Sequence, residues 1–176
     1  MTTQILIAGF GGQGVLFAGR FLANAALIEG REVSWMPSYG PEMRGGAANV
    51  SVVVSDEPIG APIVQKPDVL VAMNLPSYTK FTGAIKPGGM LLADSSLIHE
   101  TSAREDIEAY YVPATRLTDE ENLQGLANMI LLGKMLAETN LFAPETMEQA
   151  MAQSVPDRKQ DLLKHNLRAI AFGRTL

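Results

Sequence analysis

The stretch Ile5-Leu6-Ile7-Ala8-Gly9-Phe10-Gly11-Gly12-Gln13-Gly14 decides the fold. Its four leading apolar residues read as a buried strand, and the G-x-G-x-x-G that follows reads as a tight turn into a helix. A helix that begins this way offers unpaired N–H groups and the positive end of its dipole, an anion site made of backbone alone. The helix is predicted over 13–28 and is closed by Gly30. Gly14, Ala18, Phe21, Leu22 and Ala25 recur at helical spacing and give it a small apolar face that can lie close on a sheet.

A second strand is predicted over 32–35. After it, Met36-Pro37-Ser38-Tyr39-Gly40-Pro41-Glu42-Met43-Arg44-Gly45-Gly46 carries two prolines and three glycines and predicts a loop. Residues 49–55 alternate, with Val50, Val52 and Val54 facing one way, which predicts an antiparallel or edge strand. The uninterrupted apolar run at 69–73 predicts a buried parallel strand, 90–94 the next one, and 108–112 a further one. Helices are predicted at 76–85, at 118–139 with Thr118 and Glu121 as a capping box, from Pro144, and over 157–172. Gly125 and Gly133 inside the 118–139 segment point to close packing against another backbone. The sum is α/β: a single domain over 1–176, a Rossmann-like three-layer sandwich whose sheet is mainly parallel, with an antiparallel or edge strand near 47–55.

Composition excludes several classes. The net charge of −5 leaves no basic stripe for a nucleic acid. No apolar run approaches the ~20 residues that span a bilayer. The chain enters a strand almost at once, so no signal peptide is expected and a cytoplasmic location is the default. With no cysteine there is no catalytic thiol, disulfide framework or cysteine-ligated iron–sulfur cluster. The two histidines, His99 and His165, are expected at the surface, and no metal site or catalytic residue is assigned.

The candidate binding residues fall in two groups: Gly9, Gly11, Gly12, Gln13 and Gly14, and then Ser38, Tyr39, Arg44, Gly45 and Gly46. Loops after strand carboxyl ends form the ligand crevice of such a sheet, so the two groups are expected side by side. Arg44 supplies a planar cation for phosphate or carboxylate, and Tyr39 a flat face with a hydroxyl. The dinucleotide reading needs an acidic residue at the end of the second strand. Glu29 and Glu32 lie near the right distance, but neither is where a ribose sits. Two plainer readings stand beside these. The glycine turn can serve only helix–sheet packing, and the second loop can be docked by an Arg44–Glu42 pair.

Together, GFGGQGV and SYGPEMRGG closely resemble the gamma subunit of the 2-oxoacid:ferredoxin oxidoreductases, which act on pyruvate, 2-oxoglutarate, branched-chain 2-oxoacids or indolepyruvate. The similarity also takes in 49–54, Pro67-Asp68-Val69 and 128–133, and so spans most of the chain. It implies a subunit of a heteromeric enzyme that converts a 2-oxoacid and coenzyme A to acyl-CoA and carbon dioxide while reducing ferredoxin. It further implies that thiamine diphosphate, with Mg, resides on the alpha and beta subunits, and that iron–sulfur clusters reside on beta and, where present, delta. The chain alone is then expected to be inactive, to contribute assembly and, on one reading, the coenzyme A site. Its apolar partner face allows a homodimer when it is isolated. The alternatives are a stand-alone NAD(P)-dependent oxidoreductase and a nucleotide- or CoA-sensing module.

Overall fold

A computed structural model describes residues 1–40, 46–156 and 159–176. β1 (Thr2–Phe10) leads into α1 (Val15–Ile28), followed by β2 (Glu32–Tyr39), β3 (Ala47–Ser55), β4 (Val69–Ala72) and α2 (Leu75–Phe81). A 3-10 turn (Thr82–Ala84), β5 (Met90–Asp94), β6 (Glu108–Val112), α3 (Ala114–Glu120), α4 (Ala127–Thr139), α5 (Pro144–Ser154) and α6 (Gln160–Gly173) complete the chain.

The six strands lie in the order β2-β3-β1-β4-β5-β6. β1, β4, β5 and β6 run parallel, whereas β3 is antiparallel to both of its neighbours. Val50, Val52 and Val54 of β3 join Ile5, Ile7, Phe21, Leu22, Ile130 and Leu131 in one core, under α1, α4, α5 and α6. Leu6, Val53, Leu70 and Leu91 join Val64, Tyr78, Ile85 and Ile98 in a second core on the opposite face. Helices and a covering loop on both faces of a mixed sheet make the three layers the hydrophobic pattern predicts.

Two expectations change, and a third is narrowed. The alternating segment β3 is antiparallel, as one of its two readings has it, and is not an edge. Seven of its nine residues are buried, because the segment carrying Ile59 and Val64 covers its second face and Val64 N–H donates to Ser51 Oγ at 3.1 Å. The edge on this side of the sheet is β2, in which no residue is fully buried.

β2 also continues to Tyr39, so Met36, Pro37, Ser38 and Tyr39 are strand rather than loop. Gly40 N–H donates to Ala47 O at 2.7 Å, which fixes the alternation of the β2–β3 ladder. Even-numbered positions of β2 face β3, and Pro37 turns its nitrogen to the outer side, where no ladder donor is lost.

The 118–139 helix is two helices. Asn122 (φ 54°) and Gly125 (φ 78°) take left-handed conformations that end α3 and turn the chain into α4. Thr118 lies inside α3, its hydroxyl donating to Thr115 O at 2.7 Å, and caps nothing. Only Gly133 then lies within a helix, and there the expected close packing is found: a Cβ on it would run into Ile170 O of α6.

Candidate functional site

The glycine turn stands at the point where the chain departs to opposite faces of the sheet. α1 leaves β1 toward the first core and α2 leaves the adjacent β4 toward the second. That divergence at the carboxyl ends of β1 and β4 is the topological switch point at which open α/β sheets usually bind ligands. Gln13 bridges the two strand ends. Its Oε1 accepts from Phe10 N–H at 2.6 Å and its Nε2 donates to Met73 O at 2.9 Å. Met73 N–H in turn donates to Ala8 O at 2.8 Å. Gly9 lies directly beneath the Gln13 carboxamide, where a Cβ would displace it.

Gly14 is the N-cap of α1 in a left-handed conformation (φ 74°, ψ 21°) that favours glycine. Its carbonyl accepts from the buried Asn128 side chain at 3.1 Å, and a Cβ on it would strike that side chain. Asn128 is the second residue of α4, so the N-termini of α1 and α4 meet at Gly14. No side chain caps α1 and its first turn holds no acidic residue. The partial positive charge of its first N–H groups is left uncompensated. Gly12 (φ 101°) has open space where a side chain would start.

The described members of the second group, Ser38, Tyr39 and Gly46, reach the same rim. Gly11 N–H donates to Gly46 O at 2.9 Å. Ser38 pairs with Asn49 and Tyr39 with Ala48, one strand out from β1, and both are exposed. Phe10 and Tyr39 are 38% and 54% exposed, an unusual display of large apolar surface beside a glycine turn. Arg44 and Gly45, with Glu42 of the proposed surface pair, lie outside the described residues.

Sequence reasoning did not reach Met73, Asn74 or Asn128. Asn74 carried a signal, an asparagine two positions before a proline at a helix start, and it does cap α2, with Oδ1 accepting from Ser77 N–H at 2.8 Å. Met73 and Asn128 carried none, because each acts through a contact distant in sequence.

The dinucleotide arrangement is not formed. The antiparallel β3 occupies the place beside β1 where a parallel second strand would carry its carboxylate. Glu29 is committed elsewhere, accepting from Ala143 N–H at 2.9 Å and Thr146 Oγ1 at 3.0 Å at the start of α5. Glu32 opens β2 at the far end of the sheet.

The resolved pKa shifts belong to the scaffold. Burial pushes the Tyr78 phenol up to about 12, with Tyr111 and Glu100 adding to it. Burial likewise takes Tyr110 to about 12, beside Glu138 and Glu108. Lys134, then Tyr110, holds Glu138 below its ordinary value. Among the described residues no group of three His, Asp or Glu side chains could hold a metal ion, and no helix is long and apolar enough to cross a membrane. Both histidines are exposed.

Comparison with known proteins gives a consistent result. Residues 4–176 match the family described as pyruvate ferredoxin/flavodoxin oxidoreductase. The 2-oxoglutarate synthase subunit KorC of Methanocaldococcus jannaschii is 42% identical over 98% of this chain and 92% of its own length. The crystal structure of a keto/oxoacid ferredoxin oxidoreductase gamma subunit from Geobacter sulfurreducens superposes with a TM-score of 0.85 at 30% identity, covering 99% of this chain and 95% of that one. A 2-oxoglutarate:ferredoxin oxidoreductase from Magnetococcus marinus, solved with 2-oxoglutarate, coenzyme A and succinyl-CoA bound, matches with a TM-score of 0.89 at 27% identity; it covers 99% of this chain but 30% of that longer one. The mixed sheet, the glycine turn and these similarities make this chain a member of the pyruvate ferredoxin/flavodoxin oxidoreductase family, of the gamma-subunit type.

Proposed function

We propose that the rim formed by Gly9–Gly14 with Ser38, Tyr39 and Gly46 is the part of this gamma subunit that meets the thiamine-bearing subunits and closes the coenzyme A site between them. The assembled enzyme oxidatively decarboxylates a 2-oxoacid to its acyl-CoA and passes the electrons to ferredoxin. Thiamine diphosphate, with Mg, is assigned to the alpha and beta subunits, and the iron–sulfur clusters to beta and, where present, delta. This chain has no cysteine to ligate a cluster. It is not expected to turn over a 2-oxoacid on its own.

One observation carries the reading: the Gly11–Gly46 hydrogen bond, which joins the two glycine segments over the uncapped start of α1. Free backbone N–H groups at a helix N-terminus suit a phosphate group. Coenzyme A carries phosphates, and the Magnetococcus relative was solved with it bound. Arg44 is retained from the sequence as the cation for this site.

Gly12→Asp and Gly12→Asn test it in the assembled enzyme. Both place a side chain in the open space at the same left-handed position, and only the first adds negative charge. Gly12→Asp is expected to raise the coenzyme A KM well above that of Gly12→Asn, and Arg44→Ala to raise it as well. Equal KM values for all three and the parent would remove coenzyme A from this rim.

A further inference from the structure

We propose that the cleft between α5 and α6 binds an apolar α-amino acid, with its carboxylate on Arg174 and its ammonium on Glu148. The cleft has a volume of about 370 Å³. Small-molecule sites span about 300–1,000 Å³. It shares no residue with the glycine rim and is independent of the coenzyme A site. Met147, Leu167, Ile170 and Ala171 supply its apolar lining. Met147 and Ile170 are buried and belong to the first core, whereas Ala171 is exposed and leaves the mouth open.

Both walls are anchored, so the cleft is pre-formed. Glu29 accepts from Ala143 N–H at 2.9 Å and from Thr146 Oγ1 at 3.0 Å, which fixes the first turn of α5 on the end of α1. The end of α6 is seated on α4 at Gly173, where a Cβ would run into Ile130 O.

The charges at the cleft select the ligand. Arg174 is the C-cap of α6 and is half-buried, and its guanidinium donates to Met147 Sδ at 3.9 Å, a weak acceptor. A cation at a helix C-terminus is favourable, but a guanidinium extended into water would serve that purpose equally well. Laid on the cleft wall instead, it offers a fork that matches a carboxylate. Glu148 lines the same cleft and is exposed. Neither residue forms a salt bridge with a described residue, including the other. Arg168, the third charge at the cleft, is already engaged by the backbone carbonyl and the carboxylate of Glu121. One free cation, one free anion and an apolar lining match the three parts of an apolar amino acid. A plain carboxylate would leave Glu148 unanswered, and a plain amine Arg174.

Titration calorimetry of the full chain tests this with L-leucine, with isocaproate, which lacks the ammonium, and with isoamylamine, which lacks the carboxylate. Leucine is expected to bind saturably and each analogue about tenfold more weakly, the equivalent of one lost charge-assisted contact. Arg174→Gln and Glu148→Gln are each expected to weaken leucine about tenfold, and Ala171→Phe, which fills the cleft, to abolish its binding. Thermal denaturation of each variant checks the fold. Glu148 and Ala171 are exposed, so their variants carry the test should Arg174→Gln fail to fold. No saturation by leucine up to about 10 mM overturns the site. Isocaproate bound as tightly as leucine, or leucine bound undiminished by folded Glu148→Gln or Ala171→Phe, overturns it as well.

Discussion

Gln13 reaches from the glycine turn to Met73 at the end of β4, its Nε2 donating to the Met73 carbonyl at 2.9 Å while its Oε1 holds Phe10 N–H at 2.6 Å. One side chain thus fastens the turn after β1 to the neighbouring strand. Gln13→Glu keeps the acceptor for Phe10 and turns a carboxylate toward the Met73 carbonyl. The expected cost is about 1–3 kcal/mol, from one lost hydrogen bond and two opposed oxygens. The denaturant midpoint of the isolated chain should fall accordingly. A midpoint equal to the parent's would mean that the bridge does not secure the turn.

Gly133 and Gly173 allow α4 and α6 to cross with their backbones in contact. A Cβ on Gly133 would run into Ile170 O, and one on Gly173 into Ile130 O. Helix propensity alone says that Gly→Ala gains about 1 kcal/mol. Overpacking at a fixed backbone costs about 1–3 kcal/mol and cannot be relieved by a rotamer change, so packing wins. Gly133→Ala is expected to be destabilised, with a lower Tm. A Tm at or above the parent's would show that the crossing has room to open.

How far the sequence carries can be judged from particular residues. The turn at 9–14 and the strands at 69–73 and 90–94 were legible because each is a local pattern with a local cause. Pro37 misled, since a proline inside an apolar segment looks like a break until the strand is known to lie at an edge with its ladder side turned away. The Thr118–Glu121 spacing matched a capping box, yet Asn122 and Gly125 ended the helix there. At the rim, the pairing of the two glycine segments was anticipated. The contributions of Met73 and Asn128 come from just past β4 and from α4, and only the fold brings them to the turn.

Tyr78 gives a pH dependence with a definite sign. Its phenol is buried, and burial, then Tyr111 and Glu100, push it up to about 12 from an ordinary value of 10. The folded chain therefore holds this proton more tightly than the unfolded chain does. The stabilisation is complete below pH 10 and is lost as pH rises from 10 toward 12. Tyr78→Phe removes this ionisation, so its stability should fall less steeply than the parent's across that window. Parallel slopes of denaturation free energy against pH would exclude Tyr78 as the cause.

Phe10 and Tyr39 test the partner face. Both stand at strand ends on the rim, and both are substantially exposed in the isolated chain. Exposed residues contribute little to the fold, so Phe10→Ser and Tyr39→Ser should leave the Tm of the isolated chain within a few degrees of the parent. Large apolar side chains at the centre of an interface commonly contribute about 2 kcal/mol or more to association. Each substitution is therefore expected to weaken binding to the co-expressed partner subunits by about tenfold or more, as measured by titration of the purified chain. Association as tight as the parent's in both variants would place the partner on another surface. The exposed β2 edge, with Trp35 and Met36, would then be the next to substitute.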